Sequence, residues 1–228
     1  MRKITLFLSS ILMVLGWATQ AAQAQVTCVD LSSVGTGESI TVIMHVGGEG
    51  VDKYIGTFTQ SGAYYNDGKD GLTETASEYM YTITKVSETT INIKDSHNGY
   101  LPGFTSESGR FSNNGSAFST FTFTEVESPV SPLNESYPAY TLKNSATNGL
   151  TVNYLTSSNN LCVNNGTAVS FQFIEASTKI KQLTLNCTDS NNGQYSFSKS
   201  VYAWIDASIA DLVTAALSSA PCVSYSIT

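Results

Sequence analysis

Apolar and polar residues alternate along most of the chain, in short runs separated by turn-forming residues. Three of these runs resemble one another and lie at 81–86 (YTITKV), 121–126 (FTFTEV) and 171–176 (FQFIEA). In each of them aromatic or aliphatic side chains recur at every second position, which is the period of a strand that buries one face. A similar run lies upstream of each one, at 39–46, 89–96 and 139–146. The pattern predicts an all-β domain.

A turn-rich block separates the two alternating runs of each unit. The blocks lie at 52–68, 98–115 and 148–166, and each closes on Asp-Gly or Asn-Gly. Dipeptides of this kind supply the positive φ angles that tight hairpins need. The chain is therefore predicted to contain three four-stranded repeats, at 39–86, 88–126 and 139–176. Three such repeats predict a β-trefoil-like domain over 25–177, and a β-sandwich with a similar number of strands is the alternative.

The last part of the chain, 178–228, has a different pattern. The runs at 179–188 and 195–205 alternate as strands, and 222–228 alternates again. Between them, the segment DASIADLVTAALSSAP places apolar residues at helical spacing and ends at Pro221. We expect a small β-β-α-β appendage here and not a fourth repeat.

The first 24 residues have the features of a secretory signal peptide. Arg2 and Lys3 form a basic start, an apolar run follows, and Ala22-Gln23-Ala24 is a small-x-small cleavage site. The apolar run is shorter than the roughly 18 residues of a spanning helix, which disfavours a membrane anchor. The sequence thus predicts cleavage near Ala24 and a location that is secreted, periplasmic or on the cell surface.

The charge of the chain excludes two classes of partner. The net charge is −7, and removing Arg2 and Lys3 leaves 9 basic against 18 acidic residues, or −9. A basic patch for nucleic acid and a basic amphipathic helix for membrane insertion are both lacking from the sequence. The partners predicted are a glycan or a surface protein.

Four cysteines lie outside the predicted signal peptide, and an even number in an exported chain predicts disulfides. We favour the pairs Cys187–Cys222 and Cys28–Cys162, with free buried thiols as the alternative. None of the cysteine spacings is typical of a zinc site, so neither a metal nor a cofactor is predicted.

Motifs for catalysis are scarce. His45 lies in a predicted strand and is expected to be a core or edge residue, whereas His97 lies in a turn near Asp95. No nucleophile motif accompanies either histidine. The loop that contains Asp67 and Asp70 lacks the glutamate that closes an EF-hand. The prediction is a protein without catalytic residues.

Aromatic residues in the turn-rich blocks are candidates for a sugar site, because a tyrosine ring can pack on the apolar face of a sugar. Tyr64 and Phe111 occupy equivalent positions in their repeats, which favours core packing for both. Tyr65 and Tyr154 are therefore expected to be the exposed platforms. The polar partners predicted beside them are Asn66, Asp67 and Asn153.

Two phrases, IKDSHNGYL at 93–101 and LKNSATNGL at 142–150, resemble the repeat openings of ricin-B-like β-trefoil modules of secreted bacterial proteins. The resemblance covers residues 39 to about 177. The aspartate that such modules place after the opening glycine falls on Gly103 and Asn153. Their Gln-x-Trp falls on Phe-Thr-Phe and Phe-Gln-Phe, so Phe123 and Phe173 would take the core role of the tryptophan.

The resemblance implies a secreted, non-enzymatic binding module for glycans or cell surfaces. Two other functions stay open. One is a protein-binding or inhibitor-type trefoil that uses an inserted GGEG loop near 47–53 and the loops at 69–77 and 127–138 as its contact surface. The other is a structural N-terminal domain of a larger secreted protein.

Overall fold

The structure is a computed structural model that describes residues 26–59, 62–66, 73–95, 99–100, 120–129, 131–144, 149–158, 160–189, 196–205 and 222–227. The predicted signal peptide and the predicted helix of the tail lie outside these residues. The described strands are β1 (Ser39–Gly48), β2 (Val51–Thr59), β3 (Gly62–Asn66), β4 (Met80–Ser87), β5 (Thr90–Asp95), β6 (Gly99–Tyr100), β7 (Thr120–Glu125), β8 (Tyr140–Asn144), β9 (Leu150–Leu155), β10 (Asn160–Val163), β11 (Thr167–Glu175), β12 (Ile180–Asp189), β13 (Ser196–Trp204) and β14 (Cys222–Ile227). Short 3₁₀ segments cover Thr73–Tyr79, Thr156–Ser158 and Ala176–Thr178, and the described residues include no α-helix. The all-β class predicted for the main domain is confirmed.

Six strands close a ring in the order β1, β4, β5, β7, β8 and β11, with every pairing antiparallel. The ring closes where β11 returns to β1, with a register that runs from Val42 opposite Glu175 to Gly48 opposite Val169. Closing a sheet on itself removes the exposed edges that would otherwise pair with other chains. The described residues thus contain one antiparallel sheet that is partly closed into a ring.

Hairpins extend from the ring between consecutive ring strands. β2 and β3 pair between β1 and β4, and β9 and β10 pair between β8 and β11. The backbone of the Asn-Asn-Gly turn between β10 and β11 accounts for its composition, because Asn164 has φ 65° and Gly166 has φ 86°. A Cβ atom on Gly166 would lie 2.3 Å from the Tyr154 carbonyl oxygen, so this turn requires glycine.

The turn between β1 and β2 corrects one prediction. The GGEG sequence at 47–50 is not an inserted loop, because Gly47 and Gly48 belong to β1. Gly48 pairs with Val51, which leaves a two-residue turn in which Gly50 has φ 70°. The tight turn fixes the register of the whole hairpin.

The inside of the ring is filled by the alternating apolar residues of its strands. From β1 these are Val42, Met44 and Val46, each fully buried. Phe123 and Phe173 are 9% and 0% exposed and belong to the same cluster, which confirms the core role predicted for them. The rings of Phe123 and Tyr140 are nearly perpendicular, with centroids 5.6 Å apart.

A second apolar cluster covers part of the outer face of the ring. Ile43 and Ile174, which are opposite each other in β1 and β11, form its base. Tyr79 and Trp204 pack over them, with ring centroids 5.3 Å apart. The middle of β1 is therefore covered on both faces, and the run Val42, Ile43 and Met44 is apolar without alternation.

A smaller sheet in the order β13, β12, β14 forms the tail. The pairing of β12 with β13 runs from Ile180 opposite Trp204 to Thr188 opposite Ser196. All three segments predicted as tail strands contain strands. Trp204 connects this sheet to the ring through the outer cluster.

The segment from Val26 to Val34 crosses the end of the ring and continues its hydrogen bonding. The Val29 amide donates to the Phe173 carbonyl at 2.7 Å, and the Glu175 amide donates to the Thr27 carbonyl at 2.8 Å. Leu31 is 1% exposed, and its amide donates to the Tyr140 hydroxyl at 2.9 Å. The segment is thus packed into the core and also supplies a wall for the site described below.

The predicted disulfide between Cys28 and Cys162 is wrong, because neither thiol forms a disulfide bond. Cys28 lies beside Ile174, whereas Cys162 is aligned through Asn153 with Ala168. Six residues of β11 separate those two positions, or about 20 Å of strand.

The other predicted pair, Cys187–Cys222, has side chains outside the described part of the structure and stays a prediction. The backbone register places Cys187 opposite Tyr225 and Cys222 opposite Asp189, so the two cysteines are diagonal neighbours. Diagonal neighbours have Cα atoms roughly 7–8 Å apart, somewhat more than a disulfide spans without backbone movement.

Candidate functional site

A pocket of about 470 Å³ opens on the outer face of the ring, beside the turn between β1 and β2. It is formed by the ring strands β1 and β11 and the hairpin strand β2, together with three segments that lie outside the ring. The residues that line it are Val26, Cys28, His45, Tyr54, Pro132, Asn134, Tyr137, Gln172, Ile174 and Lys179. We call it the His45 pocket.

The β1–β2 hairpin positions an aromatic pair and a carboxylate at this pocket. His45 is directly opposite Tyr54, and Asp52 opposes Gly47, so all three side chains are on one face of the hairpin. The two rings stack with centroids 4.6 Å apart and an interplanar angle of 27°. His45 Nε2 lies 2.8 Å from Asp52 Oδ1, with the carboxylate half exposed and the imidazole mostly covered. The carboxylate fixes the orientation of the imidazole ring.

Gln172 fixes the loop that forms the opposite wall. It is opposite His45 in β11 and is 2% exposed. Its Nε2 donates to the carbonyls of Asn134 and Tyr137 at 2.7 and 3.2 Å, and its Oε1 accepts from the Asn134 amide at 3.3 Å. A buried amide whose donors and acceptor are all used holds the loop in one position.

The same loop is seated by close packing against β1. Leu133 is 4% exposed and lies over Gly47, where a Cβ atom would come within 2.5 Å of the Leu133 Cγ. At the other side of the pocket, the Tyr137 hydroxyl donates to the Val26 carbonyl at 3.0 Å. The loop is therefore attached at both ends, and the pocket is formed before any ligand binds.

Cys28 lies in the wall of the pocket but does not form a pair with His45. Burial raises the pKa of the Cys28 thiol to about 11, so the thiol is protonated at neutral pH. Cys28 is beside Ile174, and His45 is beside Gln172. Cys28 and His45 are therefore two strand spacings apart across the sheet and two residues apart along it. Strand geometry places their Cα atoms on the order of 12 Å apart. A nucleophile that is activated by a neighbouring base is not present in this arrangement.

The residues predicted from sequence as the sugar site lie elsewhere, in two hairpins that contact each other through β3 and β10. The backbones of Tyr65 and Asn66 belong to β3, with their side chains outside the described part, and Asp67 lies outside it entirely. Asn153 is half buried in β9. None of the described residues that line the His45 pocket was predicted to bind a ligand.

The exposure predicted for Tyr154 is wrong. Its side chain is 2% exposed and belongs to the core, and burial raises its pKa to about 12. The reason is the alternation of β9, which directs Val152 and Tyr154 to the inside of the structure. Tyr154 does not offer a ring to a ligand in this conformation.

The prediction of an inserted GGEG loop hides the His45 pocket in the sequence. A two-residue turn at Glu49–Gly50 fixes the hairpin register, and that register alone places His45 opposite Tyr54 and near Asp52. The turn signal was therefore enough to find the aromatic pair. The remaining walls come from residues distant in sequence, and no local pattern indicates them.

The remaining candidates for chemistry add nothing to this site. His97 and Asp70 lie outside the described residues. Within the described residues, no group of three or more His, Cys, Asp or Glu side chains could hold a metal ion.

No helix among the described residues is long and apolar enough to span a bilayer. No protein-family model, curated protein or solved structure matches the chain.

Proposed function

We propose that this protein is a secreted, non-enzymatic binding module that takes a carbohydrate in the His45 pocket. The observation that carries the proposal is the aromatic pair of Tyr54 and His45, set in a preformed pocket that the side chain of Asn134 also lines. A sugar ring presents an apolar C–H face and a rim of hydroxyls that both donate and accept hydrogen bonds. An aromatic surface flanked by a few fixed polar groups matches both features.

The fold that we propose for the module is a β-trefoil. The six-stranded ring supports this, because each predicted repeat contributes two of its strands: β1 and β4, then β5 and β7, then β8 and β11. Hairpins inserted between the ring strands of the first and third repeats support it further. Secretion is supported by the basic, apolar and small-residue pattern of the first 24 residues.

A binding function fits the chemistry of the pocket better than catalysis. The thiol of Cys28 is protonated and distant from His45, so the pocket lacks an activated nucleophile. The polar groups whose contacts are described, His45 and Gln172, are held by Asp52 and by loop carbonyls. Groups that are fixed in this way orient a ligand.

The test is a titration of the secreted protein with a panel of simple sugars, in which tryptophan fluorescence reports binding. Trp204 is the sole tryptophan after residue 24, and its ring lies 6.3 Å from that of Tyr54. We expect a saturable change with at least one sugar. Tyr54→Ala should abolish it, and Tyr54→Phe should retain most of it because the stacking surface is kept.

Asn153→Ala is the matched control, since Asn153 belongs to the hairpin site predicted from sequence. Binding that survives Tyr54→Ala in a folded protein but is lost in Asn153→Ala would move the site to that hairpin. A panel in which no sugar binds would contradict the proposal and would shift attention to a protein partner.

A further inference from the structure

We propose that the natural ligand of the His45 pocket carries an anionic group, as in an acidic sugar, and that Lys179 binds this group. The inference rests on the carbohydrate function proposed above and narrows the class of ligand. It follows from the charge of the pocket and from the position of Lys179.

The charge of the pocket is opposite to that of the protein. The chain has a net charge of −7, yet the residues that line the pocket include a lysine, Lys179, and no aspartate or glutamate. Cys28 is protonated, and the remaining lining residues are apolar, aromatic or amide side chains apart from His45. An acidic protein repels anions over most of its surface, so a cation inside a pocket marks the place where an anion is favoured.

Lys179 has no acidic partner among the described residues. The ion pair that the structure records there joins His45 to Asp52. Asp52 does not line the pocket, and its Oδ1 is occupied by the His45 imidazole. Among the described residues the ammonium of Lys179 forms no ion pair, and a carboxylate of a ligand would gain a charge-assisted hydrogen bond from it.

The backbone of Lys179 gives its side chain a fixed origin. The Lys179 amide donates to the Ala176 carbonyl at 3.0 Å, and the Lys179 carbonyl accepts from the Ile205 amide at 2.8 Å. These bonds hold the residue between the 3₁₀ turn after β11 and the end of β13. The side chain is half buried, so part of its hydration is already lost before a ligand arrives. Such a cation interacts more strongly with an anion than one in open water does.

The experiment compares methyl glucuronide with methyl glucoside, which has a hydroxymethyl group in place of the carboxylate. Each sugar is titrated into the protein, and Trp204 fluorescence reports binding. We expect the acidic sugar to bind more tightly to the wild-type protein. Lys179→Gln should weaken its binding by about 10-fold or more, as expected for loss of a hydrogen bond to a charged group. The affinity for the neutral sugar should stay unchanged.

Lys181→Gln is the matched control, because Lys181 is exposed on β12 two residues further on and does not line the pocket. It should leave both affinities unchanged. Added salt should weaken the binding of the acidic sugar in the wild-type protein and should have less effect in Lys179→Gln.

Three results would overturn the inference while leaving the carbohydrate function intact. They are equal affinity for the two sugars, an equal effect of Lys179→Gln on both, and a loss with Lys181→Gln as large as with Lys179→Gln. Acetate that competes as strongly as the glucuronide would show that the pocket binds any carboxylate, which also contradicts an acidic sugar. Failure of every sugar to bind would overturn the function and the inference together.

Discussion

The inner and outer faces of β1 differ in how far the sequence of the strand alone predicts what each face contacts. On the inner face Val42, Met44 and Val46 belong to the hydrophobic cluster that the alternating strands of the ring share. On the outer face Ile43 lies under the tail, and His45 opens into a pocket. The inner face follows from the pattern of each strand alone. The outer face depends on which distant segments cover it.

The two faces also differ in what holds them together. The inside of the ring is stabilised by burial of aliphatic and aromatic side chains, which needs no particular partner for each residue. The walls of the pocket depend on individual polar groups, since Gln172 makes hydrogen bonds to the loop at both Asn134 and Tyr137. We therefore expect substitutions inside the ring to reduce stability most, and substitutions at the pocket to reduce binding more than stability.

The largest effect is expected from Phe173→Ala. Phe173 is fully buried and packs near Phe171 and Tyr140, so its truncation should lower the free energy of unfolding by about 3–5 kcal/mol. Denaturant unfolding would measure the change. Val86→Ala is the control, because Val86 is 43% exposed and should change stability by less than about 0.5 kcal/mol. A similar loss in both variants would contradict the distinction between the two environments.

Gly47→Ala tests the contact between the outer face and its covering loop. The new Cβ would lie 2.5 Å from the Leu133 Cγ, so the loop must move, at a cost of about 1–3 kcal/mol of stability. The double variant with Leu133→Ala should recover part of that loss, because the smaller side chain gives the Cβ room. Strictly additive losses in the double-mutant cycle would show that the two residues are not coupled.

Local pattern was sufficient for the strands and for much of the core. The alternation at 121–126 and 171–176 predicts strands, and Phe123 and Phe173 point inward as expected. A comparison between repeats predicted an exposed Tyr154, and this was wrong. The alternation of β9 buries the ring. Alternation predicts that two faces exist, and tertiary packing decides which of them is covered.

The pairing of distant segments was not predictable from the chain. The pairing of Cys28 with Cys162 was predicted from the even number of cysteines in an exported chain. The strand register instead places them near opposite ends of β11. The His45 pocket likewise needs the loop held by Gln172 and the turn before Lys179. Only the β1–β2 hairpin, through its two-residue turn, had a local signal.

Gln172→Met sharpens the contrast between stability and binding. Methionine keeps the volume but removes the bonds to Asn134 and Tyr137, and water can reach these partly buried groups. We expect a stability loss of about 1 kcal/mol and a larger loss of sugar affinity, since the pocket wall is released. Faster hydrogen exchange of the amides at 131–138 would report the release. Unchanged exchange there, with normal sugar binding, would contradict the role of Gln172.

The titration of Cys28, an ionisable group on the outer face, leaves stability unchanged at neutral pH and acts only in alkaline solution. Burial raises the pKa of its thiol from 9.0 to about 11 in the folded protein. The folded state therefore binds the proton more tightly than the unfolded state does. The stability linked to this proton is complete below pH 9 and is lost as the pH rises toward 11.

A pH series of thermal unfolding, with Cys28→Ala as the reference, isolates this contribution. The difference in Tm between the two proteins should be constant up to about pH 9 and should shift against the wild type above it. Tyr154 inside the ring should titrate later, because burial raises its pKa to about 12. A folded Cys28 thiol that ionises near pH 9, seen in the ultraviolet difference between wild type and Cys28→Ala, would show that water reaches this wall freely. The outer face would then be more open than the packing of Ile174 and Val26 against it implies.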